Sequence, residues 1–401
     1  MFSSLIALAH LTLLSSGPIA PDQGQGQGQS TQQTKQQDTS PPKTKAEIEF
    51  QKEVDDDKKI GKEAADYYDR ELKPTKDIEA QKRVEEIGAK LALIANANAF
   101  DLTWGDRRHP EFEYKFKVVE SKDINAFSLP GGYIYVYQGL VDFVQSDDEL
   151  AGVLAHEISH ADQRHVAWMR KEQEKLAPIQ IPLILATIFT KDVAPGVLAQ
   201  VGMQAVTNGW SVKAETSADY GGAQLMVAAG YDATGMLTFM ERLQAREGAF
   251  EGAVDLGIFR THPPSKVRAE KIEEFMKKNL LPIRRSHVAY DFSVNSKTGD
   301  NGQVTLFFGK RKLYTLGDGG ADRAAAISKK LNAFFDTVPD MVDVTTGDDG
   351  VIYAKNRELL VVSDADAKAN NMTVDDLQNS VAKGIRSSIF TLAYHIWEGR
   401  N

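Results

Sequence analysis

The chain has 401 residues, 42% of them hydrophobic and 26% charged, which is enough for two or three domains with ordinary globular cores. Its formal net charge is −9 and no Lys/Arg run is interleaved with aromatics, so nucleic acid is excluded as an expected partner. There are no cysteines, which excludes disulfides and thiolate metal sites and leaves His, Asp and Glu as the available metal ligands.

Residues 1–20 read as a signal peptide. Leu5 to Leu14 forms a short apolar stretch followed by small residues, too short to span a bilayer. No Lys or Arg precedes it, and the sequence does not define the cleavage position. This implies export, to a periplasm or outside the cell. Residues 21–45 are rich in Gln, Thr, Pro and Gly and are expected to be a disordered linker, because they cannot bury enough apolar surface to fold.

From Ala46 the pattern turns helical. A helix is expected over Lys59 to Leu72, and Pro74 separates it from a second, in which Val84, Ile87, Leu91 and Ile94 share a face. Tyr114 to Val119 and Tyr133 to Tyr137 alternate like strands, with a segment ending in a Gly-Gly turn between them. Ser146 opens a helix. Ser146 and Glu149 form the pattern of a capping box, Asp147 and Asp148 suit the positive end of the helix dipole, and Leu150, Leu154, Ile158 and Ala161 supply a core face. Helices continue to about Asn279. A linker and strand (His287 to Asn301), strand (Val304 to Phe308), helix (Ala321 to Phe335), two strands (Val351 to Ala354, Glu358 to Ser363) and a final helix (Thr373 to Tyr394) follow. No internal repeat is evident. The expected organisation is a first domain over 46–285 and a separate α+β module of unknown role over 286–401.

The segment Leu154-Ala-His156-Glu157-Ile-Ser-His160 carries the chemistry. Residues four apart on a helix project from nearly the same side, so both imidazoles can reach one Zn²⁺. Glu157 beside them is placed to act as general base. His165 lies nine residues after His156, which on a continuous helix is the opposite side, so a hydrogen-bonded core histidine is expected there rather than a ligand. A catalytic zinc needs a third protein ligand and an open position. Glu215 is the best candidate, with Asp219 one turn on and able to accept from the far nitrogen of a ligating His. Spacing alone does not select Glu215 among so many carboxylates.

These residues resemble the HtpX and CAAX prenyl protease family of gluzincin zinc metallopeptidases, most of all its exported, BepA-like branch. The matching blocks are NAFSLPGGYIYVYQGL (Asn125 to Leu140), DDELAGVLAHEISHADQRH (Asp147 to His165), ETSAD (Glu215 to Asp219) with GYD after it, and HPPSKVR (His262 to Arg268). The resemblance implies an α+β class: a mostly helical peptidase domain with a small β-sheet and the His-Glu-x-x-His helix, followed by the C-terminal module. It implies one Zn²⁺ per chain on His156, His160 and Glu215, with Glu157 and His262 in catalysis and Asp219 and Arg268 behind the ligands. His262 either steadies the oxyanion or approaches the zinc in a resting state. Asn125, Ala126, Phe127, Ser128, Leu129, Pro130, Gly131 and Gly132 match the edge strand that pairs with extended substrate backbone.

Two departures stand out. Val212 and Ala214 replace basic residues common before the third-ligand Glu, which puts substrate contacts there in doubt, and the membrane spans of HtpX and the prenyl proteases are missing. Ile181 to Thr190 is a ten-residue apolar run containing Pro182, short of a span but compatible with contact at a membrane surface. The expected function is metal-dependent endoproteolysis of extended or misfolded polypeptides in envelope quality control. The rival is a zinc-containing chaperone or assembly factor that rarely cuts. Asp364 and Asp366 resemble a fragment of a calcium loop, but the remaining ligands are out of register, so a loop and helix cap are expected.

Overall fold

The computed structural model describes residues 43–176, 210–248 and 266–393. Ile181 to Thr190 and His262 lie outside the described residues, as do the expected signal peptide and nearly all of the expected linker.

The N-terminal half begins with α1 (Lys45–Glu71) and α2 (Ile78–Ala97). The first starts well before Lys59, because residues 45–58 are mostly Glu, Lys, Gln and Asp around a buried Val54, which extends the helical face. Asp77 caps α2 by accepting from Ala80 N at 3.0 Å, and Val84, Ile87 and Leu91 are buried as their spacing predicts.

A three-stranded sheet follows, formed by β1 (Lys115–Val119), β2 (Ala126–Leu129) and β3 (Tyr133–Tyr137). The order is β1-β3-β2, with β1 parallel and β2 antiparallel to β3, so β2 is an outer strand of this sheet. Gly131 and Gly132, at φ +78° and +93°, make the tight β2–β3 turn. Helix α1 crosses that turn at backbone distance: a Cβ on Gly61 would stand 1.6 Å from the Pro130 carbonyl oxygen. Gly61→Ala is therefore expected to lower stability by at least about 1–3 kcal/mol, since backbone cannot yield as a side chain can. A lower denaturant midpoint with an unchanged m-value is the check; an unchanged midpoint would contradict this packing.

Next come a short α3 (Gln138–Phe143) and the central α4 (Asp147–Asp162), which lies beside β2. Ser146 caps α4, accepting from Glu149 N at 3.1 Å. The reciprocal half of the expected capping box is displaced by one residue: the Glu149 carboxylate accepts from Gln145 N at 2.7 Å and from Arg242 Nη1 at 2.6 Å. Burial pushes the Glu149 carboxyl pKa up, and the Arg242 charge opposes that shift. The chain breaks at Gln163–Arg164 and restarts as α5 (His165–Leu176). After the undescribed stretch come α6 (Trp210–Ala228), α7 (Thr234–Gly248) and α8 (Lys266–Lys278). One apolar cluster, from Ala80 to Ile283, joins α2, the sheet, α4, α6, α7 and α8.

A second apolar cluster runs from Ala289 to Leu392. Helix α9 (Arg285–Val288) stands between the two, across the expected 285/286 boundary, and Arg285 makes a buried ion pair with Glu241 of α7 at 2.6 Å. Arg242 also reaches Asp291 at 3.1 Å, tying the C-terminal module to the start of α4.

The module is built twice on one plan, contrary to the expectation of no repeat. Strands β4 (Val294–Thr298), β5 (Val304–Phe308) and β6 (Arg311–Thr315) form an antiparallel meander followed by α10 (Gly320–Phe335). Strands β7 (Val344–Thr346), β8 (Val351–Ala354) and β9 (Arg357–Val361) form another, followed by α11 (Asp364–Ala369) and α12 (Val374–Ala393). Both first turns read Thr-Gly-Asp, at 298–300 and 346–348, and both meanders shift register at the same step, Leu306/Phe307 and Ile352/Tyr353. The units are too short and too differently spaced after the strands for periodicity to reveal them. Asp366 is a buried helix residue that accepts from the capping Ser363 N and from Arg323, so it serves the cap rather than a calcium loop. The architecture is α+β. Among the described residues no helix is long and apolar enough to cross a membrane.

Candidate metal centre

Two helices build the site. Helix α4 is buried on nearly every side and presents His156, Glu157 and His160; α6 presents Glu215 and Asp219. Gly221 and Gly222 let the helices meet closely: a Cβ on Gly222 would lie 3.1 Å from His156 N, and one on Gly221 would lie 2.4 Å from the Gln163 amide nitrogen. Glycine inside a helix costs about 1 kcal/mol relative to alanine, which this approach offsets by bringing together the helices that carry His156, His160 and Glu215.

The Nε2 atoms of His156 and His160 are 3.0 Å apart. Glu215 places one carboxylate oxygen 3.4 Å from His156 Nε2 and the other 3.4 Å from His160 Nε2. Ligand atoms from these three residues fall within 4.8 Å of one another. Behind them, Asp219 lies 2.9 Å from His156 Nδ1, on the side of the ring away from the cluster that Nε2 faces. Burial opposes charge on His156, but the hydrogen bonds to Asp219 and Glu215 outweigh it and push its pKa up to about 9.

Arg268 closes the far side. Its guanidinium holds both oxygens of Asp219 at 2.7 Å and reaches Glu215 at 3.0 Å. Burial would discharge it, but the charges of Asp219, Glu215 and Glu157 hold its pKa above the usual arginine value. Burial alone would raise the Asp219 pKa; the Arg268 charge and hydrogen bonds, with His156, bring it down to about 2. Glu157, next to His156 on α4, is also buried, and its charge adds to the effect on Arg268.

The structure thus brings together His156, Glu157, His160, Glu215, Asp219 and Arg268. The segment Asn125 to Gly132 forms strand β2 and the turn after it, with Asn125, Ala126 and Leu129 buried and Phe127 and Ser128 half-buried. Val212 is exposed and Ala214 buried. His165 differs from expectation in its position. On a continuous helix it would stand opposite His156, but the break at Arg164 (φ +51°) turns it back onto His160, with 2.9 Å between their Nδ1 atoms. Neither Gly nor Pro marks that break. The left-handed conformation of Arg164 costs about 1–2 kcal/mol and is held by its ion pairs to Asp57, to Glu53 at 2.9 Å and to Asp106 at 2.8 Å. Those partners come from α1 and the loop before β1, so local sequence offered no signal for it.

Comparisons with known proteins bear on the chain's family. Residues 80–276 match the model of peptidase family M48, and residues 303–391 match a domain of unknown function. The chain is 34% identical over 188 residues to the mitochondrial metalloendopeptidase OMA1 of Schizosaccharomyces pombe, covering 46% of this chain and 50% of that protein. It is 30% identical over 205 residues to the beta-barrel assembly-enhancing protease of Escherichia coli, covering 47% and 39%. It is 28% identical over 191 residues to the metalloprotease LoiP of the same organism, covering 48% and 71%. The chain spans half or less of the length of the first two of these relatives. Residues 80–276 thus match a peptidase family M48 domain.

Proposed function

We propose that the chain is a zinc-dependent metalloendopeptidase that cuts extended or misfolded polypeptides. The observation that carries this is the convergence of His156 Nε2, His160 Nε2 and the Glu215 carboxylate within 3.4 Å of one another. Two imidazoles and one carboxylate are a catalytic zinc donor set, and three protein ligands leave a position for water. When bound, zinc supplies Lewis acidity to the scissile carbonyl and makes water acidic near neutral pH. Glu157 takes the proton from the attacking water and passes it to the departing amine nitrogen. Asp219 and Arg268 hold the ligands in place. Strand β2 beside α4 gives an extended substrate a backbone to pair with, which favours unfolded chains and little sequence preference. Work in a bacterial envelope is supported by the apolar stretch Leu5 to Leu14 and by the similarity to a protease named for β-barrel assembly.

The test is metal content and cleavage of β-casein by the full chain. About one zinc per chain and chelator-sensitive cleavage are expected, with both lost in the His156→Ala/His160→Ala double variant. A zinc-free wild type, or a double variant that still cuts, would overturn the reading. Zinc-loaded protein that binds casein without cutting it would point to the chaperone role instead.

A further inference from the structure

The contact between His165 and His160 lies outside every role assigned above. We propose that His165 is a positioning residue for the metal centre: it fixes His160 as the Nδ1–H tautomer and so leaves the Nε2 lone pair of His160 bare and aimed at the metal. This rests on the reading of His160 as a ligand.

The assignment follows from hydrogen-bond accounting. His165 Nε2 lies 3.2 Å from the Trp104 carbonyl oxygen, which can only accept. His165 Nε2 must therefore carry a hydrogen. A neutral imidazole has one N–H, so His165 Nδ1 is an acceptor. It lies 2.9 Å from His160 Nδ1, so His160 must donate there. A neutral His160 then has no hydrogen on Nε2, the atom 3.4 Å from Glu215 and 3.0 Å from His156 Nε2. The opposite tautomer of His165 would set a bare Nε2 against the Trp104 carbonyl.

The ring is held in place for this task. It is fully buried, with the Trp104 ring 5.5 Å away. The backbone nitrogens of Thr103 and Trp104 each donate to Ser217 Oγ at 3.0 Å. Ser217 Oγ donates in turn to Gln163 Oε1 at 2.6 Å, and Gln163 Nε2 donates to the Ser217 carbonyl at 3.1 Å. Ser217 is two residues from Glu215 on α6, and Gln163 is two residues from His165. One closed set of bonds therefore places the carbonyl that orients His165 and docks the third-ligand helix. The two histidines of α4 are oriented differently: His156 by a carboxylate, His160 by a neutral imidazole that adds no charge to the site.

The test compares His165→Leu, which removes the acceptor, with His165→Asn, whose amide oxygen can stand where Nδ1 stood. Zinc affinity of the full-length protein is measured by chelator competition, with melting of the metal-free forms as the folding control. Loss of an outer partner of a metal-bound histidine weakens metal affinity about 10–100-fold. That loss is expected for Leu, with Asn clearly closer to wild type. Two-bond ¹H–¹⁵N correlation on ¹⁵N-histidine-labelled, metal-free wild type is expected to show His160 protonated at Nδ1. A folded Leu variant that binds zinc within about twofold of wild type overturns the proposal. Should the Leu variant fail to fold, His160 protonated at Nε2 in the wild type overturns it. Wild type that binds no zinc removes the metal reading itself, a different failure.

Discussion

Glu157→Gln is expected to keep its metal and its fold and to lose peptide hydrolysis by about 10²–10⁴-fold, the usual contribution of a positioned general base. Glutamine has the same shape and fits the same buried place on α4, but it cannot accept the proton of the attacking water. Glu157 is not one of the three converging ligand residues, so zinc content should stay near one per chain. Glu215→Gln behaves differently: it removes one of the three donors, so metal affinity falls along with activity. Measuring zinc and casein cleavage on both variants separates the two roles. Near wild-type cleavage by Glu157→Gln would sink the mechanism, and unchanged zinc affinity in Glu215→Gln would remove Glu215 from the ligand set.

Arg268→Met is expected to destabilise the metal-free protein by about 3–5 kcal/mol, the cost of removing one partner from a buried ion pair. Methionine fills much of the space, so loss of the charge dominates. Asp219 would lose two bonds of 2.7 Å and Glu215 one of 3.0 Å, and both carboxylates would stay buried beside each other. An exposed pair provides the contrast. Arg83 meets Asp147 at 2.7 Å at the surface, and Arg83→Met should cost no more than about 1 kcal/mol. Denaturant unfolding of the two variants in the presence of chelator is the check. Equal, small losses would mean that Arg268 does not hold the ligand carboxylates together.

The sequence by itself determined the helix that carries the chemistry. Ser146 at its cap, the acidic first turn and the spacing of Leu150, Leu154 and Ile158 are local features, and spacing by four puts His156 and His160 on one side. The first and third strands of the peptidase sheet and the helices Gly320–Phe335 and Val374–Ala393 were legible for the same reason, since each has its own periodicity. The choice of Glu215 as third ligand came only through resemblance, because many carboxylates lie at acceptable distances along the chain. Tertiary structure decided what depends on residues far apart. Arg268 reaches Glu215 and Asp219 from a helix some fifty residues on. Glu149 turns from its own cap towards Arg242, 93 residues away, because a buried carboxylate needs a charge more than a second cap bond. The break after α4 has no Gly or Pro to announce it. It exists because Arg164 finds Glu53, Asp57 and Asp106 on other elements, and their charge stabilises a backbone conformation that the residue alone disfavours. That break moves His165 from the far side of a helix to the side of His160, a placement set by long-range ion pairs and therefore invisible to any local pattern.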